Sequence, residues 1–349
     1  MIIKKNDTDK VIIFGTGGNL LLSLKFLKKN NLDVAYLSDN NVELHNTLVN
    51  NIKVISPEEI KNYDFPVLII SMYASDIAKQ LKDLKIKEYY DFSYVFDYDR
   101  WKEHFNIKLL EENVQKINEV LDLLEDEESK MVFNSLIKYR QTSNPIYIKK
   151  ANYIDYFHPL VSPKENDLII DGGAWQGDSC IEFNNRLNNN CKIYSFEPDF
   201  KNYSILVQNT KLYDNVIAIK FGLFDRKKTL YFQESEFVAG LGHRVVDYET
   251  SVKIEVVDLD TISKTWIDNE GNEEIIDFIK MDIEGSEVKA ILGAERILKN
   301  QKPKLAICIY HLYDDLWEIP LLIRKINSSY KFYMGHHAQN FAETVIYAI

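Results

Sequence analysis

Three short segments hold the residues from which this chain could build a reactive centre. Asp171 ends the run Leu168-Ile-Ile-Asp171 and is followed by Gly172-Gly173-Ala174-Trp175-Gln176-Gly177. Glu197 follows Tyr194-Ser-Phe196 and precedes Pro198. Asp282 and Glu284 close the segment Phe278-Ile-Lys-Met-Asp282-Ile-Glu284-Gly285. Carboxylates so placed can accept hydrogen bonds from hydroxyls, take up a proton or bind a cation. Glycines beside them let the backbone turn sharply and approach a ligand closely. His311 ends a fourth run, Leu305-Ala-Ile-Cys-Ile-Tyr310, and an imidazole there is a candidate base for an alcohol because it titrates near neutrality.

Each of these runs reads as a buried strand, and a parallel α/β sheet puts its ligand site at the carboxyl ends of its strands. The first loop departs from the dinucleotide fingerprint G-x-G-x-x-G. Counting from Gly172, the second required glycine is Ala174; counting from Gly173, it is Trp175. S-adenosylmethionine (SAM) has no pyrophosphate and tolerates a looser loop. It also favours an acid such as Asp171 near its cationic methionine portion and one such as Glu197 on its ribose hydroxyls. SAM is therefore the expected cofactor, with Asp171, Gly172, Gly173, Ala174, Gly177, Glu197, Pro198 and Asp282 as its binding positions.

The expected catalytic residues are His311, Asp282 and Glu284, with His311 or Asp282 taking a proton from a substrate hydroxyl. Glu284 shares a face with Asp282 if the strand continues, since alternate residues point the same way. Glu287 belongs to the following helix, where an early acid suits the dipole. Were a divalent cation bound, Asp282 and Glu284 would be its ligands; no third carboxylate is identifiable, so no metal is assigned. His336-His337 with Glu343 precede the last strand and could line the substrate mouth, with at most one histidine facing it. Gly240-Leu-Gly242-His243-Arg244 reads as a loop over the pocket, where Arg244 could meet an anionic group.

The elements that must position these groups fall into three stretches. Residues 1–98 read as a small Rossmann-like α/β domain: strand Val11–Phe14, turn Gly15-Thr-Gly17-Gly18, helix Asn19–Lys29 and strand Val34–Leu37, ending near Asp39. A helix starting at Ser56-Pro57, a strand Val67–Ile70 and a helix Ser75–Leu84 continue the alternation. Leu20 stands where a third glycine would complete a fingerprint. Gly15, Gly17, Gly18 and Asp39 are the candidate second pocket, for a nucleotide or nucleotide-sugar, with Tyr73 and Asp76 nearby; the alternative is a vestigial domain or the dimerising domain of a homodimer. Residues 99–165 read as a helical connector, with helices over Ile107–Leu124 and Glu127–Arg140, the second capped by Asp126 or a neighbouring acid. His158-Pro159 and Ser162-Pro163 mark its end, because residues before proline avoid the helix. Residues 166–349 alternate strands and helices again, with further strands at Thr229–Phe232, Val252–Val257, Lys304–Tyr310 and Thr344–Ile349.

Composition narrows the function. The 349 residues carry a net charge of -11, which argues against a nucleic-acid surface built from clustered Lys and Arg. No apolar run reaches the length of a membrane helix. The N-terminus lacks a secretory h-region, and Cys180, Cys191 and Cys308 form no close pair. A cytoplasmic protein with reduced thiols is expected.

From about Ser129 to Ile349 the chain resembles the FkbM-type family of SAM-dependent methyltransferases. The matching stretches are Asp171-Gly-Gly-Ala-Trp-Gln-Gly-Asp-Ser179, Phe196-Glu-Pro198 and Val257-Asp-Leu-Asp260, then Ile279-Lys-Met-Asp-Ile-Glu-Gly-Ser-Glu287 and Ala306-Ile-Cys-Ile-Tyr-His311 with Asp315-Leu-Trp317. The resemblance implies a class I methyltransferase Rossmann-like sheet and methyl transfer to oxygen, often on sugars or secondary metabolites. It carries Asp171, Gly173, Gly177 and Glu197 over as SAM-binding positions. The expected activity is O-methylation of a sugar or glycan hydroxyl in surface-polysaccharide or secondary-metabolite assembly. Two other classes compete. One is a SAM- or nucleotide-binding module without catalysis. The other is an NAD-dependent sugar oxidoreductase using the N-terminal unit, against which count the missing third glycine and the lack of a Tyr-x-x-x-Lys dyad beside it.

Overall fold

The computed structural model describes residues 9–233, 244–246 and 248–349. The chain divides into two compact units: residues up to Val114, with 131–150 and 336–342, form one, and 115–130, 151–335 and 343–349 form the other. The stretch 99–165 is thus shared between the two units and is not a body of its own.

The first unit is built on β1 (Lys10–Phe14), α1 (Leu20–Lys29), β2 (Asp33–Ser38), β3 (Leu48–Val49), β4 (Ile52–Ile55), β5 (Val67–Ile69), α2 (Ala74–Asp83) and β6 (Tyr89–Asp91). Its sheet runs β3-β4-β2-β1-β5-β6, parallel throughout except for the β3–β4 pair. Ile12, Phe14, Val67 and Ile69 meet Ala78 and Leu81 of α2 in its core. Ser56 does open a helical segment through a capping box with Glu59, but Pro57–Asn62 is a single 3-10 stretch. Helices α3 (Tyr98–Trp101), α4 (Ile107–Glu112), α5 (Val114–Leu123) and α6 (Glu127–Thr142) follow. Asn113 splits the helix expected over Ile107–Leu124 in two. Asp126 Oδ1 caps α6 by accepting the Ser129 amide at 2.7 Å.

The second unit contains β7 (Leu168–Gly172), α7 (Asp178–Arg186), β8 (Lys192–Phe196), α8 (Phe200–Thr210), β9 (Val216–Ile219), β10 (Gly222–Leu223), β11 (Lys228–Gln233), β12 (Arg244–Val246), β13 (Val252–Val257) and α9 (Leu259–Ile262). It continues with β14 (Phe278–Met281), α10 (Glu287–Leu292), α11 (Glu295–Asn300), β15 (Lys304–Cys308), α12 (Asp315–Ile326), β16 (Phe332–His336) and β17 (Thr344–Ala348). Seven strands form one sheet in the order β16-β17-β15-β14-β7-β8-β9. The pairs from β15 through β14, β7 and β8 to β9 are parallel, and β17 runs antiparallel to β15. Central strands such as β7 and β15 are continuous apolar runs because both faces are covered. The order reverses between β7 and β14, the switch point where such sheets open a crevice. A second sheet, β10-β13-β11-β12, is inserted between β9 and β14. Gly240–His243 of the expected loop lie outside the described residues, and Arg244 opens a strand. No helix among the described residues is long and apolar enough to cross a membrane.

Candidate active site

At the switch point the sequence sets an acid and a lysine side by side. Lys280 of β14 is in register with Asp171 of β7. Its ammonium lies 3.0 Å from Asp171 Oδ1 and donates to the Gly173 carbonyl at 2.8 Å. Ser179 Oγ donates to the other Asp171 oxygen at 2.8 Å. Burial opposes the charge on Lys280, yet Asp171, Asp282 and Asp178 outweigh it and hold the ammonium protonated well above the usual lysine range. Asp171 is therefore spent on Lys280 and Ser179 and does not reach the cavity wall, contrary to the expected contact with the methionine portion. Lys280 was missed in the sequence, where it stands as the one charge inside the apolar strand Phe278–Met281; such a charge needs a buried partner.

Between β7 and α7 the backbone turns through Gly173 at φ +75° and Gly177 at φ +100°. A Cβ on Gly173 would lie 1.9 Å from the Asp282 carbonyl oxygen, so that glycine is demanded by the neighbouring strand end and not by a ligand alone.

These strand ends open onto a cavity. Gly173, Trp175 and Asp178 form one side, Glu197 and Pro198 the next, and Asp282, Glu284 and Ser286 another. Phe232, Val245, Ile254 and Val256 of the inserted sheet supply an apolar wall. Of the expected cofactor positions, Gly173, Glu197, Pro198 and Asp282 line this cavity; Asp171, Gly172, Ala174 and Gly177 are buried behind it. Glu197 accepts the Asp199 amide at 2.8 Å. Burial outweighs that bond and one from the Trp175 amide, and pushes its carboxyl up to about 8.

The far end is acidic and closely bonded. Asp282 Oδ1 lies 3.2 Å from His311 Nε2 and accepts the Tyr310 hydroxyl at 3.3 Å. Asp282 Oδ2 accepts the Tyr156 hydroxyl at 3.2 Å. His311 Nδ1 lies 2.9 Å from Glu287, and Nε2 lies 3.8 Å from Glu284. Burial opposes charge on the ring, but Glu287, Asp282 and Glu284 outweigh it and hold the imidazolium well above the usual histidine range. A protonated ring has no lone pair to offer, so the expected role of His311 as base is corrected: it is the cation that keeps Asp282 ionised. Burial would raise the Asp282 carboxyl, yet His311 and Lys280 hold it far below the usual range.

Glu284 reaches the cavity by a different route from the one expected. The strand ends at Met281, and Glu284 sits in a turn at φ +59°. Glu287 was assigned only to a helix start; it is fully buried and also accepts the amides of Ile283 and Gly285 at 2.8 and 3.0 Å. Asp282, Glu287 and His311 present potential ligand atoms within 4.8 Å of one another. With both Glu287 oxygens already holding amides, this trio reads as an ion-paired histidine, and the Asp282–Glu284 pair expected for a cation is not the group that converges. Glu343 accepts the Tyr310 hydroxyl at 3.3 Å, and burial together with Asp282 and Asp155 pushes its carboxyl up to about 8. His336 ends β16 fully buried and does not line the cavity. Tyr156, which the sequence reading passed over, does.

In the first unit, Asp39 ties down the glycine turn. One of its oxygens accepts the Thr16 amide at 2.9 Å and hydroxyl at 2.7 Å, and the other accepts the Asn41 amide at 2.9 Å. Gly15 holds φ +113°, while the space over Gly17 and Gly18 is open. Tyr73 is exposed, and Asp76 pairs with Lys79 on the surface of α2.

Residues 171–335 match the methyltransferase FkbM domain, and residues 7–90 match the family described as C2185-like, N-terminal. No curated protein matches the chain. A crystal structure of methyltransferase FkbM from Methylobacillus flagellatus superposes with a TM-score of 0.70 at 20% identity, covering 98% of this chain and 90% of that one. Aeropyrum pernix fibrillarin with bound S-adenosyl-L-methionine gives a TM-score of 0.36 at 11% identity, over 53% of this chain and 67% of that one. The fold is thus the class I Rossmann-like methyltransferase fold, and residues 171–335 are matched by the methyltransferase FkbM domain.

Proposed function

We propose that the protein is a SAM-dependent O-methyltransferase acting on a hydroxyl of a sugar or glycan intermediate. The observation that carries this reading is the single cavity joining Glu197, the Gly173–Trp175 turn and Asp282. The cavity fits the cofactor. Glu197 keeps lone pairs for ribose hydroxyls beyond its bonds from the Asp199 and Trp175 amides, and the Trp175 indole N–H is buried without a partner on the cavity wall. SAM, when bound, supplies an electrophilic methyl group. Glu197 holds the ribose, the Trp175 side holds the amino-acid end, and Phe232, Ile254 and Val256 exclude water from the remainder.

Asp282 takes the acceptor's hydroxyl proton at a carboxylate oxygen. It is a weak base, which suffices because a hydroxyl becomes strongly acidic as its oxygen is alkylated. Tyr310 bridges Asp282 to Glu343 and holds the proton-accepting carboxylate in place. Asp178, Asp282 and Glu284 at the cavity suit a polyhydroxyl acceptor, since carboxylates accept from several hydroxyls at once. Assembly of surface polysaccharides or secondary metabolites is the context that fits such an acceptor. The three cysteines are free and buried, which suits the cytoplasm.

Calorimetry with S-adenosylhomocysteine (SAH) tests the cofactor reading, and labelled SAM with a panel of glycosides tests the acceptor. Label incorporated at an oxygen of a glycoside supports the proposal. NAD binding in the absence of SAH binding would replace it with the oxidoreductase reading.

A further inference from the structure

Among the described residues, fifteen other than glycine have a positive φ, and seven of these are asparagines, which tolerate that conformation. Only two are aromatic, Tyr156 and Trp175, and both line the one cavity described above, as does Glu284. Bulky residues persist in left-handed backbone only where their surroundings over-determine them, typically at functional sites. Tyr156 is held in that way. Its amide donates to the Tyr347 hydroxyl at 3.2 Å, its phenol donates to Asp282 Oδ2 at 3.2 Å, and its ring packs on Phe183 with centroids 6.1 Å apart. The Lys280 ammonium lies 5.5 Å from the ring centroid. The strain therefore presents one phenol to the cavity beside one ionised carboxylate.

On the cofactor reading above, Glu197 fixes the ribose, and Gly173 with Trp175 receives the amino-acid end. Tyr156 and Asp282 line the same cavity as these groups. Between the ribose and the amino-acid end the cofactor bears its positive charge. A carboxylate and a phenol oxygen suit a cation, and neither gains comparably from an uncharged thioether. We propose that Tyr156 and Asp282 together form the sulfonium-recognising wall of the site, Tyr156 being a cofactor-contacting residue supplied from outside residues 171–335.

The test compares SAM with SAH, which differ in that charge and the methyl group. Dissociation constants for both are measured by calorimetry on the full chain, native and with Tyr156→Phe, Asp282→Asn or Glu197→Ala, each variant's folding being checked by its melting curve. In Tyr156→Phe the ratio Kd(SAM)/Kd(SAH) should rise about fivefold over native, with SAH affinity within about twofold. Asp282→Asn should raise the ratio further, whereas Glu197→Ala should weaken both ligands alike. An analogue with an ammonium in place of the sulfonium should follow SAM. An unchanged ratio in both Tyr156→Phe and Asp282→Asn overturns the proposal. Should either variant not fold, the other decides. If the native chain binds neither SAM nor SAH, the cofactor reading itself falls, and this inference with it.

Discussion

The two units carry the same local device and put it to different use. In each, a parallel strand runs into a glycine turn and then a helix, β1 to α1 in one and β7 to α7 in the other. In each, the adjacent strand ends near an acid: Asp39 after β2, Glu197 after β8. Asp39 spends its oxygens on Thr16 and Asn41, so it is the peg that holds its own turn. Glu197 likewise accepts an amide of its own turn, Trp175, and the Asp199 amide, but Asp171 and Lys280 also tie the C-terminal turn from beneath, a buried ion pair for which Asp39 has no counterpart among its bonds. The strand-end acids are thus bonded alike in the two units and only the support beneath the turn differs, which is why the motif alone does not establish function.

The largest break in this comparison comes from removing Lys280. Lys280→Met leaves Asp171 fully buried without its cation, at a cost of about 3–5 kcal/mol. For a body of this size that is a fall of roughly 10 °C in melting temperature, read by calorimetry. Asp39→Asn, at a half-buried site, should cost about 1 kcal/mol. Equal melting shifts in the two variants would remove the distinction drawn between the turns. The glycines make a second contrast. Gly173→Ala drives a Cβ into the Asp282 carbonyl and holds alanine in left-handed backbone, costing about 3 kcal/mol. Gly17→Ala meets open space and should change stability by less than about 0.5 kcal/mol, measured by urea denaturation.

Ligand binding separates the acids themselves. Glu197→Ala removes the acceptor for two ribose hydroxyls and should weaken SAH about 100-fold, since hydrogen bonds to charged groups contribute about 1.5–3 kcal/mol each. Asp39→Ala should leave SAH affinity within about twofold. Loss in the Asp39 variant with retention in the Glu197 variant would move the cofactor to the first unit.

What the sequence shows and hides follows from the same physics. Buried strands ending in acids are legible because continuous apolar runs have few other uses, and β1, β7, β8, β14 and β15 lie where those runs predict. Strands β9 and β16 are harder. Residues of β9 are only partly buried, and β16 carries His336, a histidine that reads as polar though it is fully covered. Cavity residues that come from strand ends, Glu197 and Asp282, are visible in the sequence. Those that reach the cavity by a left-handed turn are not, because no periodicity marks such a turn: Tyr156 was passed over, and Glu284 was placed there by a strand alternation that stops at Met281. The roles of Asp171 and His311 depend on partners at a distance in the chain, Lys280 and Glu287. Only the register of neighbouring strands and the fold of the following turn bring these together.

The finest test concerns one proton. Burial sets the Glu197 carboxyl at about 8, so in the free protein at pH 7 it is mostly protonated. Accepting hydrogen bonds from two ribose hydroxyls favours the ionised form, so binding should lower that pKa and release part of a proton. The bound state then holds fewer protons than the free state, and affinity should rise with pH from about 5 to 8, then level off once Glu197 is ionised in both. Calorimetry in two buffers of different ionisation enthalpy measures the released fraction directly. Asp315 and Glu343 are also pushed up to about 8, so the slope alone does not name the group. Glu197→Gln does: it should abolish both the slope and the proton release while Asp39→Asn leaves them intact. Persistence of the slope in Glu197→Gln would assign the proton to the Asp282–Tyr310–Glu343 end of the cavity instead.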